Sequence, residues 1–381
     1  MILRIFYSLE GKYNGATRHI LISFSSPFVN RDDGKRPLFP RFQKPIPDYT
    51  PLVSILVPMR DEERNVIPLI QNLQKLTYAK VECILLDDHS SDSTLTLAKA
   101  QTLNDKRFRL IEGVPLKKGW AGKVHACHQL SENASGDFLL FLDADARLNP
   151  DTIENFLPFF EQEKVKLVTG FPRFPVTSWL SKLLVPMQHF VIWLHLPLAL
   201  ANYSGYKQAT AAHGAFMFFE RNAYLAVGGH RAVWDSIVED VHLARVMKQH
   251  GFAVKLVNPT SYVTCHMYET NEEVWSGFLK NIYIGIGRSP WIVAGLTIFY
   301  SIFYFLPLPL ALLAPYYGYW YILPLLLIWI QKLYVDLQTK QKAFLCLLLP
   351  LSALAFMVIM HASMWKSLKK EHYLWKGRAY K

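Results

Sequence analysis

From residue 52 to about residue 263, short apolar runs alternate with segments whose apolar residues recur every three or four positions. Val53 to Val57 is a compact run ending at Pro58, with the length and composition of a buried strand. Val66, Leu69, Ile70, Leu73 and Leu76 then share one face of a helix, behind the acidic turn Asp61-Glu62-Glu63. Negative charge suits a helix N-terminus. Val81 to Leu86 forms a second strand ending in Asp87-Asp88, and Ser91 or Asp92 caps the next helix. Phe138 to Leu142 is another strand, ending in Asp143-Ala144-Asp145, and Pro150 opens a helix from its first turn. Strands alternating with helices predict an α/β fold on a mainly parallel sheet covered on both faces. Ligands of such sheets bind beyond the carboxyl ends of the strands. Arg60, Asp87, Asp88, Asp143 and Asp145 all sit there.

The pattern then changes. Ser289 to Ile330 holds no Asp, Glu, Lys, Arg or His, and neither does Ala343 to Met360. A membrane-spanning helix needs about 20 apolar residues, so the first stretch holds two spans and the second one more. Pro307, Pro309 and Pro315 mark where the first stretch turns. These segments are apolar all round, unlike a soluble core helix with a polar face. Trp179 to Leu200 is also apolar but contains Lys182, His189 and His195. It predicts an amphipathic helix lying in the plane of lipid headgroups. Residues 1–30 carry Arg4, Glu10, Lys12, Arg18 and His19 and lack the unbroken apolar core of a signal peptide or anchor. The expected organisation is a lead-in and linker over 1–51, an α/β domain over 52–288, apolar helices over 289–365 and a basic tail over 366–381.

Composition agrees with a membrane partner: 51% of residues are hydrophobic and 19% charged, too apolar for an ordinary soluble enzyme. The formal net charge of +11 raises nucleic-acid binding as an option. No zinc-finger spacing, ribonucleoprotein motif or basic helix is present to carry it. Anionic membrane lipids and a phosphorylated ligand account for the charge instead. Cys83, Cys127, Cys265 and Cys346 are scattered, implying neither disulfide framework nor zinc site.

Three groups of residues suggest chemistry. Asp143-x-Asp145 at a strand end can share a hard cation through oxygen ligands, which would bridge diphosphate oxygens and stabilise a departing diphosphate. Pro58-Met59-Arg60-Asp61-Glu62 and Asp87-Asp88 can hold a nucleotide, a carboxylate accepting the base imide and Arg60 lying against the ring. Lys123 follows a Gly-containing turn and opens a helix, a place for phosphate. Glu239-Asp240 begins a further helix; the pair either favours the helix dipole or supplies a general base. His125 and His128 lie three apart on one helix and are assigned to ordinary hydrogen bonding. His213 is a candidate for the acceptor pocket.

The ordered set Val53 to Glu63, Leu86-Asp-Asp88, Gly122-Lys123, Asp143-x-Asp145, Gly228-Gly229 and Glu239-Asp240 resembles inverting family 2 glycosyltransferases of the GT-A (Rossmann-like) fold. The resemblance covers residues 52 to about 280. It implies a nucleotide-sugar donor contacted by Pro58, Arg60, Glu62, Asp87, Asp88, Lys123 and Glu239. It also implies that Asp143 and Asp145 hold the diphosphate with Mn²⁺ or Mg²⁺, and that Asp240 is the base. Gly119-Trp120-Ala-Gly-Lys123-Val-His125-Ala-Cys127 and the ending Trp375-Lys376-Gly377-Arg378-Ala-Tyr380 resemble membrane-bound transferases of the carotenoid-acid (diaponeurosporenoate) type. By that resemblance Lys376 and Arg378 reach the diphosphate; a free basic tail is the alternative.

The chain departs from processive polysaccharide synthases, which carry a Q-x-x-R-W motif after the base. Trp275-Ser-Gly-Phe-Leu-Lys280 stands in that region, so single transfer to a lipid acceptor is expected rather than polymerisation. Trp275 and Lys280 remain candidate phosphate or acceptor contacts. A polyprenyl-phosphate glycosyltransferase is the alternative within the class, and an inactive membrane scaffold the alternative outside it. The expected setting is the cell membrane, multi-pass, with the catalytic domain in the cytoplasm. Lys332, Lys340 and Lys342 then fall inside after two spans, as positive-inside bias requires. A third span would place the basic tail outside, against that bias. An ion-transport role is disfavoured because the spans are expected to lack an acidic residue.

Overall fold

The computed structural model describes residues 37–42, 50–369, 373–375 and 378–380. Most of the 1–51 lead-in, and Lys376, lie outside the described residues.

The α/β domain begins with β1 (Val53–Met59), α1 (Glu63–Gln74), β2 (Val81–Asp87), α2 (Thr94–Thr102), β3 (Phe108–Glu112), α3 (Gly122–Glu132) and β4 (Phe138–Leu142). It continues with β5 (Ala146–Leu148), α4 (Thr152–Gln162), β6 (Leu167–Thr169), α5 (Trp179–Leu184), α6 (Met187–His195) and α7 (Leu198–Tyr203). It closes with β7 (Phe216–Glu220), α8 (Arg221–Ala226), α9 (Glu239–Gln249), β8 (Val254–Leu256), β9 (Val263–Cys265) and α10 (Asn271–Gly285).

Seven strands form one sheet in the order β3-β2-β1-β4-β7-β6-β8. β1 pairs in parallel with β2 and β4, while β7 runs antiparallel to both β4 and β6. The mainly parallel sheet is as expected, with β7 the reversed strand. Side chains of a strand alternate between faces, and both faces here are covered. Ile55, Val57, Leu140 and Phe218 pack under α1 and α4, while Leu56, Ile84, Leu139 and Phe141 pack under α3 and α9. Each fully buried aliphatic side chain contributes about 1.5–3 kcal/mol, which is why these strands read as unbroken apolar runs. The chain passes from β1 outward to β3 and returns through β4 on the other side of β1. The crevice between the β1 and β4 tips is therefore the topological switch point where ligands bind.

Trp179 to Leu200 corrects one expectation. It is not a single amphipathic helix but α5, α6 and α7, separated at Pro186 and Pro197, since proline cannot continue a helical ladder. Ser181, Leu184, Met187, His189 and Phe190 are buried, and Trp179 stays exposed. α6 is wedged against the apolar helices that follow: His195 bonds the Tyr300 hydroxyl at 2.9 Å, and Trp193 meets the Tyr334 ring edge-on.

Three helices, Pro290–Leu312, Tyr319–Gln338 and Ala343–Leu368, are long and apolar enough to cross a membrane. The prolines divide differently from expectation. Pro307 follows a π-helical turn over Ser301–Phe305, where the Leu306 amide donates to the Ser301 carbonyl at 2.8 Å, so it kinks the first span. The hairpin itself turns near Pro315 and Gly318, whose φ of 115° excludes most side chains. The second span is longer than the uncharged stretch and takes in Lys332 and Asp336. Both are buried and paired with each other. The expectation that the spans lack an acidic residue therefore fails, and Lys332 is not a headgroup-facing lysine. Mutual pairing one helical turn apart is what lets two charges sit in so apolar a segment.

Candidate active site

The site is assembled around one lysine. α3 starts at Gly122 and presents Lys123 in its first turn, under the tips of β1 and β4. Its Nζ lies 2.6 Å from Asp143 Oδ1 and 3.2 Å from Glu239 Oε1. Burial works against the ammonium, but Asp143 and Glu239 outweigh it and hold the Lys123 pKa well above the ordinary lysine value. Glu239 is buried, and Asp240 follows it as the second residue of α9. Asp240 accepts the Gly214 amide at 2.9 Å and its neighbour Val241 at 2.7 Å. Burial first, and Glu239 second, push the Asp240 carboxyl up to about 7. A carboxyl that titrates near neutrality has the property general-base chemistry needs.

Gly214 explains how the loop before β7 comes so close. A Cβ there would lie 2.8 Å from Lys123 Nζ and 3.5 Å from Glu239 Oε1, so any side chain would displace the lysine. His213 beside it is surrounded by Phe171 and Phe174 rings at 5.2 and 5.3 Å, and burial lowers its pKa to about 4. It is therefore a neutral imidazole on the wall of the site.

The strand-tip residues form a laced collar. Pro58 is in β1, and Arg60 beyond its end donates to the carbonyls of Asp88 at 2.5 Å and His89 at 3.0 Å. Asp61, in the left-handed region, accepts from the Ser91 amide at 2.7 Å. Asp87 and Asp88 are buried; Asp87 Oδ2 accepts the Ser90 amide at 3.2 Å, while Oδ1 has no hydrogen-bond partner. Arg60 thus braces the β2 tip, a second duty beside the base contact expected of it.

Asp143 and Asp145 follow β4. Burial first, then the nearby Asp143 and Glu62 carboxylates, push Asp145 up to about 6. The hard oxygen donors of carboxylates crowded in this way fit a divalent cation. Among the described residues no three His, Cys, Asp or Glu side chains form a complete metal cage.

Trp275 and Lys280 lie on α10, which packs on the third apolar helix, and Trp275 is partly exposed. Arg378 falls in a short hairpin strand, Arg378–Tyr380, paired with Tyr373–Trp375. His125 and His128 pack around Trp120, and His125 Nδ1 meets Gln129 at 3.0 Å, in keeping with ordinary hydrogen bonding. Sequence reasoning missed Cys265, whose thiol donates to Asp145 Oδ1 at 3.3 Å. It also missed Gly214. Cys265 reaches the site because β9 pairs with β5, Cys265 opposite Ala146, a register that local sequence does not announce.

Residues 54–228 match the family model Glycosyl transferase family 2. A 4,4'-diaponeurosporenoate glycosyltransferase from Staphylococcus haemolyticus (strain JCSC1435) is 23% identical over 62% of this chain and 63% of its own length. A Beta-monoglucosyldiacylglycerol synthase from Trichormus variabilis (strain ATCC 29413 / PCC 7937) is 30% identical over 33% of this chain and 27% of its own. A Poly-beta-1,6-N-acetyl-D-glucosamine synthase from Staphylococcus aureus (strain COL) is 28% identical over 53% of this chain and 47% of its own. The chain thus spans less than two thirds of each of these relatives. Among solved structures, a mannosyltransferase from Pyrobaculum calidifontis in complex with GDP-Man and Mn²⁺ superposes with a TM-score of 0.53 at 18% identity. It covers 87% of this chain and 91% of its own, and it shares the fold. The strand tips and Lys123 lie within the residues that match the Glycosyl transferase family 2 model, and the Glu239-Asp240 turn follows them in the chain.

Proposed function

We propose that this protein is a membrane-bound inverting glycosyltransferase that moves a sugar from a nucleoside diphosphate, a UDP-sugar being the expected donor, to a lipid-like acceptor such as a carotenoid or other isoprenoid. The observation that carries the reading is the convergence of Lys123, Asp143, Glu239 and Asp240, with Asp240 held near 7. Asp240 takes the proton of the acceptor hydroxyl or acid as its oxygen attacks the anomeric carbon. The bond from that carbon to the diphosphate breaks on the opposite side. Lys123 presents a cation to the departing diphosphate, and the collar of Arg60, Asp87 and Asp88 holds the nucleotide. Asp143 and Asp145 would hold Mn²⁺ or Mg²⁺, which when bound neutralises charge on the leaving diphosphate.

A lipid acceptor is supported by the surroundings. Apolar side chains of Phe39, Phe171, Ile192 and Trp193 line a small cleft. Phe171 separates it from His213 by one ring. The three apolar helices attached to the domain supply a membrane partner, with the catalytic domain on the cytoplasmic side where nucleotide sugars are made.

The test is mass spectrometry of lipids from cells with the protein, without it and with Asp240→Asn. A lipid heavier by one sugar residue is expected only with the wild type. An unchanged lipid profile, with the donor's sugar incorporated into a polymer and nucleoside diphosphate set free, would refute the reading.

A further inference from the structure

Length and apolarity assign three crossings, but both ends of the third helix are tied to the catalytic domain, while its middle packs on the first span through Phe356 and Tyr300. Gln341, just before it, donates from Nε2 to the Phe174 carbonyl at 3.0 Å. Residues 343–348 pack on α5. Near its other end, Ser363 donates to the Leu279 carbonyl at 2.6 Å and accepts the Tyr283 amide at 3.3 Å. Leu279 and Tyr283 belong to α10, which packs along the same helix. α10 carries Glu272, Glu273 and Lys280, and its start is tied to α1 by Arg64 and Glu273 at 2.6 Å. It is therefore part of the water-facing domain. The two anchor points are separated by a helix of about 30 Å, the full thickness of a hydrocarbon core. A transmembrane helix cannot keep both ends on a domain that lies on one side.

The side chains agree. Ala353, Phe356, Met360 and Ser363 are buried against the protein, whereas Leu351, Leu354, Val358 and Trp365 are exposed on the other face. Basic residues flank both ends, Lys340 and Lys342 before, Lys366 and Lys369 after. Positive-inside bias is met at both ends only if both lie on one side. By contrast the first two spans meet in a turn whose Tyr316, Tyr317, Tyr319 and Trp320 are each at least 71% exposed, an aromatic tip suited to a far membrane interface.

We propose that the chain crosses the bilayer twice, through the Pro290–Leu312 and Tyr319–Gln338 hairpin. The third helix lies against the catalytic domain and the near half of the first span, its Leu351–Trp365 face in the boundary between headgroups and acyl chains, and the C-terminal tail returns to the catalytic side. This rests on the membrane reading above, and one experiment separates the two. The four native cysteines are buried, so they give a low background to a membrane-impermeant maleimide. Leu103→Cys on the catalytic domain, Tyr317→Cys at the hairpin tip and Lys369→Cys after the third helix are labelled in sealed right-side-out and inverted vesicles. Lys369→Cys is expected to react from the side of Leu103→Cys, and Tyr317→Cys from the opposite side. Reaction of Lys369→Cys from the Tyr317 side, or from neither side, overturns the proposal. Reaction of all three from one side overturns the membrane-crossing reading itself.

Discussion

Replacing Asp240 by Asn tests the site at its most exposed point of logic. The substitution keeps size and an acceptor for the Gly214 amide but removes the proton-accepting charge. A positioned base contributes about 10²–10⁴-fold in rate, so turnover falls by that order while donor affinity, set by the strand tips and Lys123, stays within about two-fold. The raised pKa adds two further readouts. In the wild type, kcat/KM rises with pH through about 7 as the carboxyl ionises, and Asp240→Asn loses this limb. Glu239→Gln removes the neighbouring negative charge, so the limb moves to lower pH while turnover falls less. Stability runs the other way. A carboxyl held near 7 rather than 3.8 binds its proton more tightly folded than unfolded, by up to about 4 kcal/mol. The folded state therefore binds more protons between these values, and wild-type stability declines as pH rises from about 4 to 7. Asp240 is only partly buried, so solvent screening reduces the effect. At about 2–4 °C per kcal/mol, Asp240→Asn melts several degrees above wild type at pH 8 and near it at pH 4. Donor release assayed in membranes, with melting followed at both pH values, decides the matter. Near-normal turnover in Asp240→Asn, or a pH limb that survives it, refutes the assignment.

Chelation by EDTA is expected to abolish transfer, with Mn²⁺ or Mg²⁺ restoring it, and Asp145→Asn to lose activity while keeping its melting temperature; full turnover in chelator would sink the metal assignment. Gly214→Ala places a methyl 2.8 Å from Lys123 Nζ and so displaces the ammonium; nucleotide affinity measured by titration is expected to drop about tenfold or more, an energy of about 1.4 kcal/mol. Lys332→Met leaves Asp336 buried alone and destabilises by about 3–5 kcal/mol, whereas Lys332→Met with Asp336→Leu recovers most of it in a thermal melt of detergent-solubilised protein.

The sheet could be read in the sequence because its strands are buried on both faces and so appear as apolar runs whose ends carry the acids. Asp87, Asp143 and the Lys123 turn followed from strand ends and a helix start, which are local signals. Wherever a partner comes from far along the chain, the signal was lost. β9 brings Cys265 to Asp145 across 120 residues, and the loop before β7 brings Gly214 to Asp240. The charged pair inside the second span was missed for another reason. A window without charge ends at Ile330, but Lys332 and Asp336 neutralise one another a turn apart, so the helix continues. The α5–α7 stretch was read as one helix from its apolar content, although Pro186 and Pro197 already divide it.

The bridge from Lys123 to Asp143 and Glu239 has a consequence for the order of events. At rest the pocket carries its own counter-ion, so its carboxylates do not stand as an open trap for stray cations. A divalent cation at Asp143 would take the place that Lys123 now holds, which would leave the lysine to face phosphate. The resting enzyme holds its place with a tethered ion that it can neither lose to buffer nor exhaust.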